Sequence, residues 1–443
     1  MAGFVFSGCS GPKEELGGAH ASETTRRLNV VILSLDTLRA DHLGLYGYSR
    51  NTSPNLDALA EKSVVFDLAI AQSSHTDPSH KALFQSRYVS HVSNETPMLA
   101  ETLRHAGFTT AAFTGAGKMS AQLGFDRGFD SFVEEFGGFR RTFSDVEAWL
   151  RDPPEAPFFL FIHTYDVHLP YDPPPPFDTM YFPEYEGPLD GTNSKAAIHR
   201  YMGLNQFKGF ADRTGLTESD KLKIVGLYDG GIRYTDRYVG KLIEVLKAEG
   251  LWDRTIFVVL ADHGEEFLEH GSFLHGLTLF QETVRVPLIF RFPLDNLAGL
   301  RVPEPVALID VKPTILELLR ISPGHELQGR SLVPRMKGAS LESAPILSEI
   351  DRARFVLRFP WKVLRVRRGP GDFVYQLFNL ETDPEEVVDL AEDYPDLVDQ
   401  LVSEMTEIIA QKPKAEIKNV NTIDFADEEL RRQLEALGYV DTQ

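Results

Sequence analysis

Apolar runs recur along the chain, each ending in polar residues and each followed by a stretch with helical spacing. LNVVILSLD (28–36) is apolar at nearly every position, which predicts a strand buried on both faces and ending in an acid. PFFLFIHTYDVH (157–168) and TIFVVLADHGEE (255–266) repeat that form. Between these runs, PNLDALAEKS reads as a helix and ETLRHAGFTTAAFTG as helix, glycine stop and strand. Ser219–Gly250 predicts a long amphipathic helix ended by Gly250. PYDPPPPFDTMYFPEYEGP is too rich in proline for regular structure and predicts a surface loop. Beyond Pro345, FVLRFPWKVLRVRRG and FVYQLFNL alternate as antiparallel strands do, and ELRRQLEALGYV predicts a closing helix.

Strands alternating with helices predict an α/β fold with a large, mostly parallel sheet covered by helices. A small antiparallel-sheet subdomain is expected at the C-terminal end. The expected division is a tail at 1–27, a main domain at 28–345 and the subdomain at 346–443. Ligands of such sheets bind beyond the carboxyl ends of the strands. Three strand ends carry polar residues there. The first gives Asp36 and Thr37, then Arg39 and Asp41; the second gives Asp166 and His168; the third gives Asp262 and His263. Unpaired polar groups are costly at the end of a buried strand unless they bind something. Asp36, Asp262 and His263 together offer two oxygens and a nitrogen, a set that suits a divalent cation. Each acid taken alone also suits the N-cap of a following helix.

HTDPSHKALFQSRY (75–88) places Thr76 at the start of a short helix with a histidine on either side. The N–H groups and dipole of a helix start favour an anion, and a hydroxyl beside a cation becomes a nucleophile. On local sequence alone a plain N-cap is the better reading of Thr76.

Composition narrows the function classes. The 443 residues carry a formal charge of −20, which repels polyanions and argues against a nucleic-acid partner. A bound metal can still reverse the local field and admit an anionic substrate. No stretch has the apolar length of a membrane helix. The single cysteine, Cys9, allows neither an intrachain disulfide nor a cysteine metal cluster. Its setting, FVFSGCSG before a polar run, resembles a bacterial lipoprotein cleavage box, although the basic start and longer apolar region of such a signal are missing. The expectation is an extracytoplasmic or periplasmic protein with a lipid anchor at Cys9; the alternative is a plain tail on a cytoplasmic protein.

The motifs together resemble the sulfatase family of the alkaline phosphatase superfamily, over most of Leu28–Val440. LDTLRADHLGLYGYSRNTSPNLDALA is similar to the family's opening segment, and TDPSHKALFQSRY to its nucleophile segment. FIHTYDVHLPYDPP and VVLADHGEEFLEHGSFLHGLTLFQETVRVPLIFR are similar to its Asp-x-His-x-Pro-Tyr and Asp-His-Gly-Glu segments. NLETDPEEVVDLAE and ELRRQLEALGYV are similar to its C-terminal subdomain. The resemblance implies an alkaline-phosphatase-like sandwich in which Asp36, Asp262 and His263 hold one metal ion and Thr76 is the nucleophile touching it. It implies that His168 and His275 contact the anionic head of an ester and protonate the leaving alcohol. His80, Lys118 and Thr37 are expected to bind substrate, Arg87 and Arg285 to be framework residues, and Glu266 and His270 to assist or to serve the structure.

The departures from the family shape the chemistry. Thr76 stands where sulfatases carry the Cys or Ser that becomes formylglycine, and its β-methyl forbids that aldehyde. His80 stands in place of an arginine, Thr37 in place of an acid, and His263 where an asparagine is common. One imidazole and fewer carboxylates favour manganese or zinc over calcium. A second ion on Asp166, His168 and His275 is conceivable, with a single ion preferred. The expected function is hydrolysis of a small sulfate or phosphate ester, monoester or diester, without formylglycine. A phosphoryl transferase and an inactive binding protein on the same fold are the alternatives.

Overall fold

The computed structural model describes residues 28–202, 215–293, 297–339 and 344–411. Cys9 and the closing helix expected at 429–440 lie outside them.

Eight strands make the main sheet: β1 (Asn29–Leu35), β2 (Val64–Phe66), β3 (Thr109–Thr114), β4 (Ser131–Glu134), β5 (Phe158–Thr164), β6 (Thr255–Leu260), β7 (Leu288–Arg291) and β8 (Leu300–Val302). Their spatial order is β8-β2-β7-β6-β1-β5-β3-β4. Every pairing is parallel except the two made by β7, so β7 alone runs against the rest. The three apolar runs with polar ends are therefore neighbours at the sheet centre, in the order β6-β1-β5, and finish on the same edge. Every residue of these three strands is buried, which requires cover on both faces.

Helices Pro54–Ala60, Phe139–Arg151 and Glu218–Ala248 pack together, as do Thr76–Gln85, Leu99–His105 and Val311–Leu318. The long helix begins at a capping box, with Thr217 Oγ1 accepting from the Asp220 amide and Asp220 Oδ2 accepting from the Thr217 amide. At its middle, Gly230 and Gly231 admit the loop that follows β5. A Cβ on Gly230 would lie 2.2 Å from the Phe177 carbonyl oxygen, and one on Gly231 would lie 2.9 Å from that of Asp166.

A four-stranded antiparallel sheet, Ile346–Glu349, Ala353–Arg358, Trp361–Gly369 and Asp372–Asn379, follows, with helix Pro395–Ala410 packed on it. Its core is shared: Phe355, Leu377 and Met405 cluster with Ile70, Leu279 and Val284 of the preceding region. Among the described residues no helix is long and apolar enough to cross a membrane.

Candidate active site

The floor of the site is built from the strand ends. Asp36 follows β1, and its amide donates to the Thr164 carbonyl of β5 at 3.1 Å. Asp262 and His263 follow β6 by one residue. All three side chains are buried, and one donor atom from each lies within 4.8 Å of the other two. Among the described residues this is the one such group.

The donor set fits a divalent cation on three counts. Asp36 Oδ1 and Asp262 Oδ2 are buried and accept no hydrogen bond. His263 Nδ1 donates to the Gly264 carbonyl at 2.9 Å, so Nε2 is the ring nitrogen that a metal would take, in the neutral ring. That Nε2 lies 3.4 Å from Asp262 Oδ2 and 3.9 Å from Asp36 Oδ1. Two buried carboxylates facing one another repel unless positive charge, a metal ion or an imidazolium, lies among them; an uncompensated buried ion costs on the order of several kcal/mol. Burial pushes both carboxyls up, and the Asp36 charge pushes Asp262 further. Burial disfavours an imidazolium at His263, but the two carboxylates outweigh it and raise its pKa.

Thr76 is the first residue of helix Thr76–Gln85, and the N-cap position falls to His75. The plain-cap role is thus not the one Thr76 takes. Its Oγ1 lies 3.3 Å from Asp36 Oδ2 and 3.3 Å from His263 Nε2, at the rim of the donor set. Ser79, one turn on, ties the helix to the third strand end by donating to the Asp262 carbonyl at 2.6 Å.

His80, expected to bind substrate, is engaged by the protein itself. The ring is wholly buried under the helix start. Nδ1 donates to the Thr76 carbonyl at 2.9 Å, so Nε2 accepts from Ser34 Oγ at 2.9 Å. Burial holds its pKa down to about 4, so the ring is neutral and cannot offset an anion's charge. Beside it lies His163, which sequence reasoning missed. Its Nε2 is 3.1 Å from Asp36 Oδ2, and burial holds its pKa at about 4. Ser34, His80 and His163 form a neutral layer beneath Thr76 and Asp36.

Thr37, also expected to bind substrate, forms the turn after β1. Its hydroxyl donates to the Asp36 carbonyl at 2.7 Å, and its amide points to Asp262 Oδ1 at 3.4 Å. Its φ of +58 is strained for a β-branched residue by about 1–2 kcal/mol. The Tyr228 hydroxyl of the long helix, donating to the Thr37 carbonyl at 2.7 Å, helps hold that turn.

The wall comprises His168, His275 and Lys118. His168 is buried and donates Nδ1–H to the Leu169 carbonyl at 2.5 Å. Its ring centroid lies 4.9 Å from that of His275, which in turn is 4.4 Å from His263. Burial lowers His168 to about 4; burial, with His263 and His75 nearby, also holds His275 well below the usual imidazole value. His275 Nδ1 meets Glu265 Oε1 at 2.9 Å, and Tyr171 donates to the other oxygen at 2.8 Å. Burial pushes Glu265 up to about 7. Half-buried Lys118 lies beside the helix start, where burial lowers its pKa and Asp77 opposes the shift.

Asp166 lies outside the site, which removes the conceivable second metal set. Its Oδ2 accepts from the Phe139 amide at 2.5 Å and from Thr164 Oγ1 at 2.6 Å, holding the start of helix Phe139–Arg151. Glu266 takes a structural role, accepting from the Ser272 amide at 2.7 Å and Thr278 Oγ1 at 2.8 Å. Arg87 and Arg285 donate to the carbonyls of Glu326 and Asp67, as framework residues do.

This sheet, with its acid–imidazole floor, defines an α/β protein of alkaline-phosphatase-like architecture. More narrowly, the chain belongs to the sulfatase family, whose model matches residues 28–321. Bovine arylsulfatase K is 30% identical over 224 residues, 47% of this chain and 41% of that relative. The match to this relative thus spans about two fifths of its length. An arylsulfatase of Clostridium perfringens is 23% identical over 454 residues, 84% of this chain and 92% of the relative. The phosphonate monoester hydrolase of Agrobacterium radiobacter shares the fold, with a TM-score of 0.72 at 20% identity over 87% of this chain and 96% of that one.

Proposed function

We propose that the protein hydrolyses small sulfate or phosphoryl esters with Thr76 as nucleophile and without formylglycine. One observation carries the reading: Thr76 Oγ1 stands 3.3 Å from both Asp36 and His263, beside two buried carboxylate oxygens that accept no hydrogen bond. Asp36, Asp262 and His263 would hold a divalent cation, with manganese or zinc ahead of calcium. Bound there, such an ion lowers the pKa of an adjacent hydroxyl and screens an incoming anion.

The chain's own groups account for the remaining steps. His80 anchors the Thr76 carbonyl and so fixes the start of the helix. The Thr76 hydroxyl loses its proton to water as Oγ1 attacks phosphorus or sulfur, the bond to the leaving oxygen breaks, and that oxygen takes a proton from the Glu265–His275 pair. Water then cleaves the threonine ester. Water attacks a phosphothreonine at phosphorus, whereas a sulfothreonine lacks the collapse to aldehyde that releases sulfate from formylglycine. The residue chemistry therefore leans toward phosphoryl esters, while the relatives named arylsulfatase lean toward sulfate.

The test is metal content of the purified protein, then turnover of p-nitrophenyl sulfate, p-nitrophenyl phosphate and a p-nitrophenyl phosphonate monoester. Thr76→Ala should retain the metal and lose on the order of 10³-fold or more in kcat. A protein that binds no metal and cleaves none of the three esters would overturn the reading.

A further inference from the structure

The segment that carries His275 is held in place from the C-terminal subdomain. Residues 264–283 leave β6, form the short strands Glu266–Phe267 and Phe273–Leu274, and return. The amides of Gly264 and Glu265 donate to Thr283 and Glu282 at 2.9 and 3.0 Å. Leu268 and Leu274 have φ of +72 and +74, a conformation unfavourable to L-residues, and Leu274 directly precedes His275. Such a hairpin needs support from elsewhere.

That support comes from residues 83 to 116 positions away. Lys362 Nζ donates to the Leu279 carbonyl at 2.7 Å and pairs with Glu386 Oε1 at 2.6 Å. Glu386 Oε2 accepts the Gln281 amide at 2.7 Å, and its carbonyl accepts His270 Nε2 at 3.2 Å. The other ring nitrogen, His270 Nδ1, donates to Glu282 Oε1 at 2.7 Å. The side chains of Lys362 and Glu386 are both fully buried. A buried ion pair seldom adds stability over an apolar pair of the same size. What this pair supplies is a fixed place for three points of the hairpin, at residues 270, 279 and 281, on both sides of His275.

We propose that Lys362 and Glu386 are positioning residues for the active site. Through the 270–281 backbone they set His275 against Glu265 and His263. The effect on turnover rests on the reading of His275 given above; the effect on the hairpin does not.

The experiment compares the parent protein with Lys362→Met and with the double variant K362M/E386L. It reads hydrogen exchange across 264–283, Mn²⁺ and Zn²⁺ affinity by calorimetry, urea unfolding, and KM and kcat on the best p-nitrophenyl ester. Lys362→Met should speed exchange in 264–283 by about tenfold or more while exchange in β1 stays slow. KM should rise about tenfold as His275 shifts, with metal affinity within about twofold of the parent. The double variant should recover stability but neither the exchange protection nor KM. Recovery of all three by the double variant would reduce the pair to a structural role and overturn the proposal, as would unchanged exchange in 264–283. If the parent cleaves no ester, the exchange arm still decides the proposal, and the functional reading fails by itself.

Discussion

The floor of the site and its wall are built by opposite means. Asp36, Asp262, His263 and His163 are fixed by three adjacent parallel strands that are buried from end to end. Their backbone is regular, and the tension lies in the charges: two buried carboxylates face one another beside one imidazole. The wall reverses this. Glu265 and His275 are paired and satisfied, but His275 sits on a hairpin with two leucines in left-handed conformation, held by residues of another sheet. The floor keeps its shape without a ligand and resists its own charge. The wall keeps its charge satisfied and depends on distant residues for its shape.

The largest effect expected from this contrast is at Asp262. Asp262→Asn removes one of the two facing charges while leaving an oxygen for the Thr37 amide. Metal affinity should fall by about 100-fold or more, at least the upper range for losing an outer-shell partner. In the metal-free protein the lost Asp36–Asp262 repulsion is set against the lost attraction between Asp262 and His263, so stability should change by no more than about 1 kcal/mol. Calorimetry and urea unfolding in chelator measure the two. A variant less stable than the parent in chelator by several kcal/mol would show that the Asp262–His263 attraction outweighs the repulsion between the carboxylates.

A smaller effect is expected beneath the floor. His80→Ala leaves the Thr76 carbonyl and the Ser34 hydroxyl without their partner and opens a cavity, for a loss of about 3 kcal/mol in urea unfolding. KM should gain no new pH dependence, because the ring is already neutral. A KM that rises steeply with pH in the parent and flattens in the variant would return His80 to charge-based substrate binding.

The same contrast explains what the sequence reveals. Asp36 and Asp262–His263 are legible because an acid ending a long apolar run has few bland explanations, and two such ends in one sheet have fewer. His163 was missed although FFLFIHT carries a visible signal, one imidazole inside an otherwise apolar strand. Glu265 and Glu266 are adjacent, and extended backbone sends neighbouring side chains to opposite sides. One meets His275 and the other organises the hairpin, a choice that no local pattern dictates. Asp166 belongs to a segment that suggests a ligand, yet its carboxylate turns to a helix start 27 residues earlier. The pairings of Lys362 and Glu386 with the hairpin span 83 and 105 residues, so only the assembled fold reveals them.

The smallest effect is one of pH, and it belongs to the junction that supports the wall. Both nitrogens of His270 face acceptors, Glu282 Oε1 and the Glu386 carbonyl, so only the imidazolium satisfies both. Burial opposes that charge, but the hydrogen bond and charge of Glu282 outweigh it and raise the pKa above the usual 6.5. The folded protein therefore binds a proton more tightly here than the unfolded chain does. The stability this group adds is fully present below pH 6.5 and is lost as pH rises through the folded value. His270→Gln, which keeps one donor and bears no charge, should narrow the difference in stability between pH 6 and pH 9. The change is expected to be about 1 kcal/mol or less, read from urea unfolding at the two pH values. Equal pH dependence in parent and variant would show that His270 is neutral in the fold and that the junction relies on Lys362 and Glu386 alone.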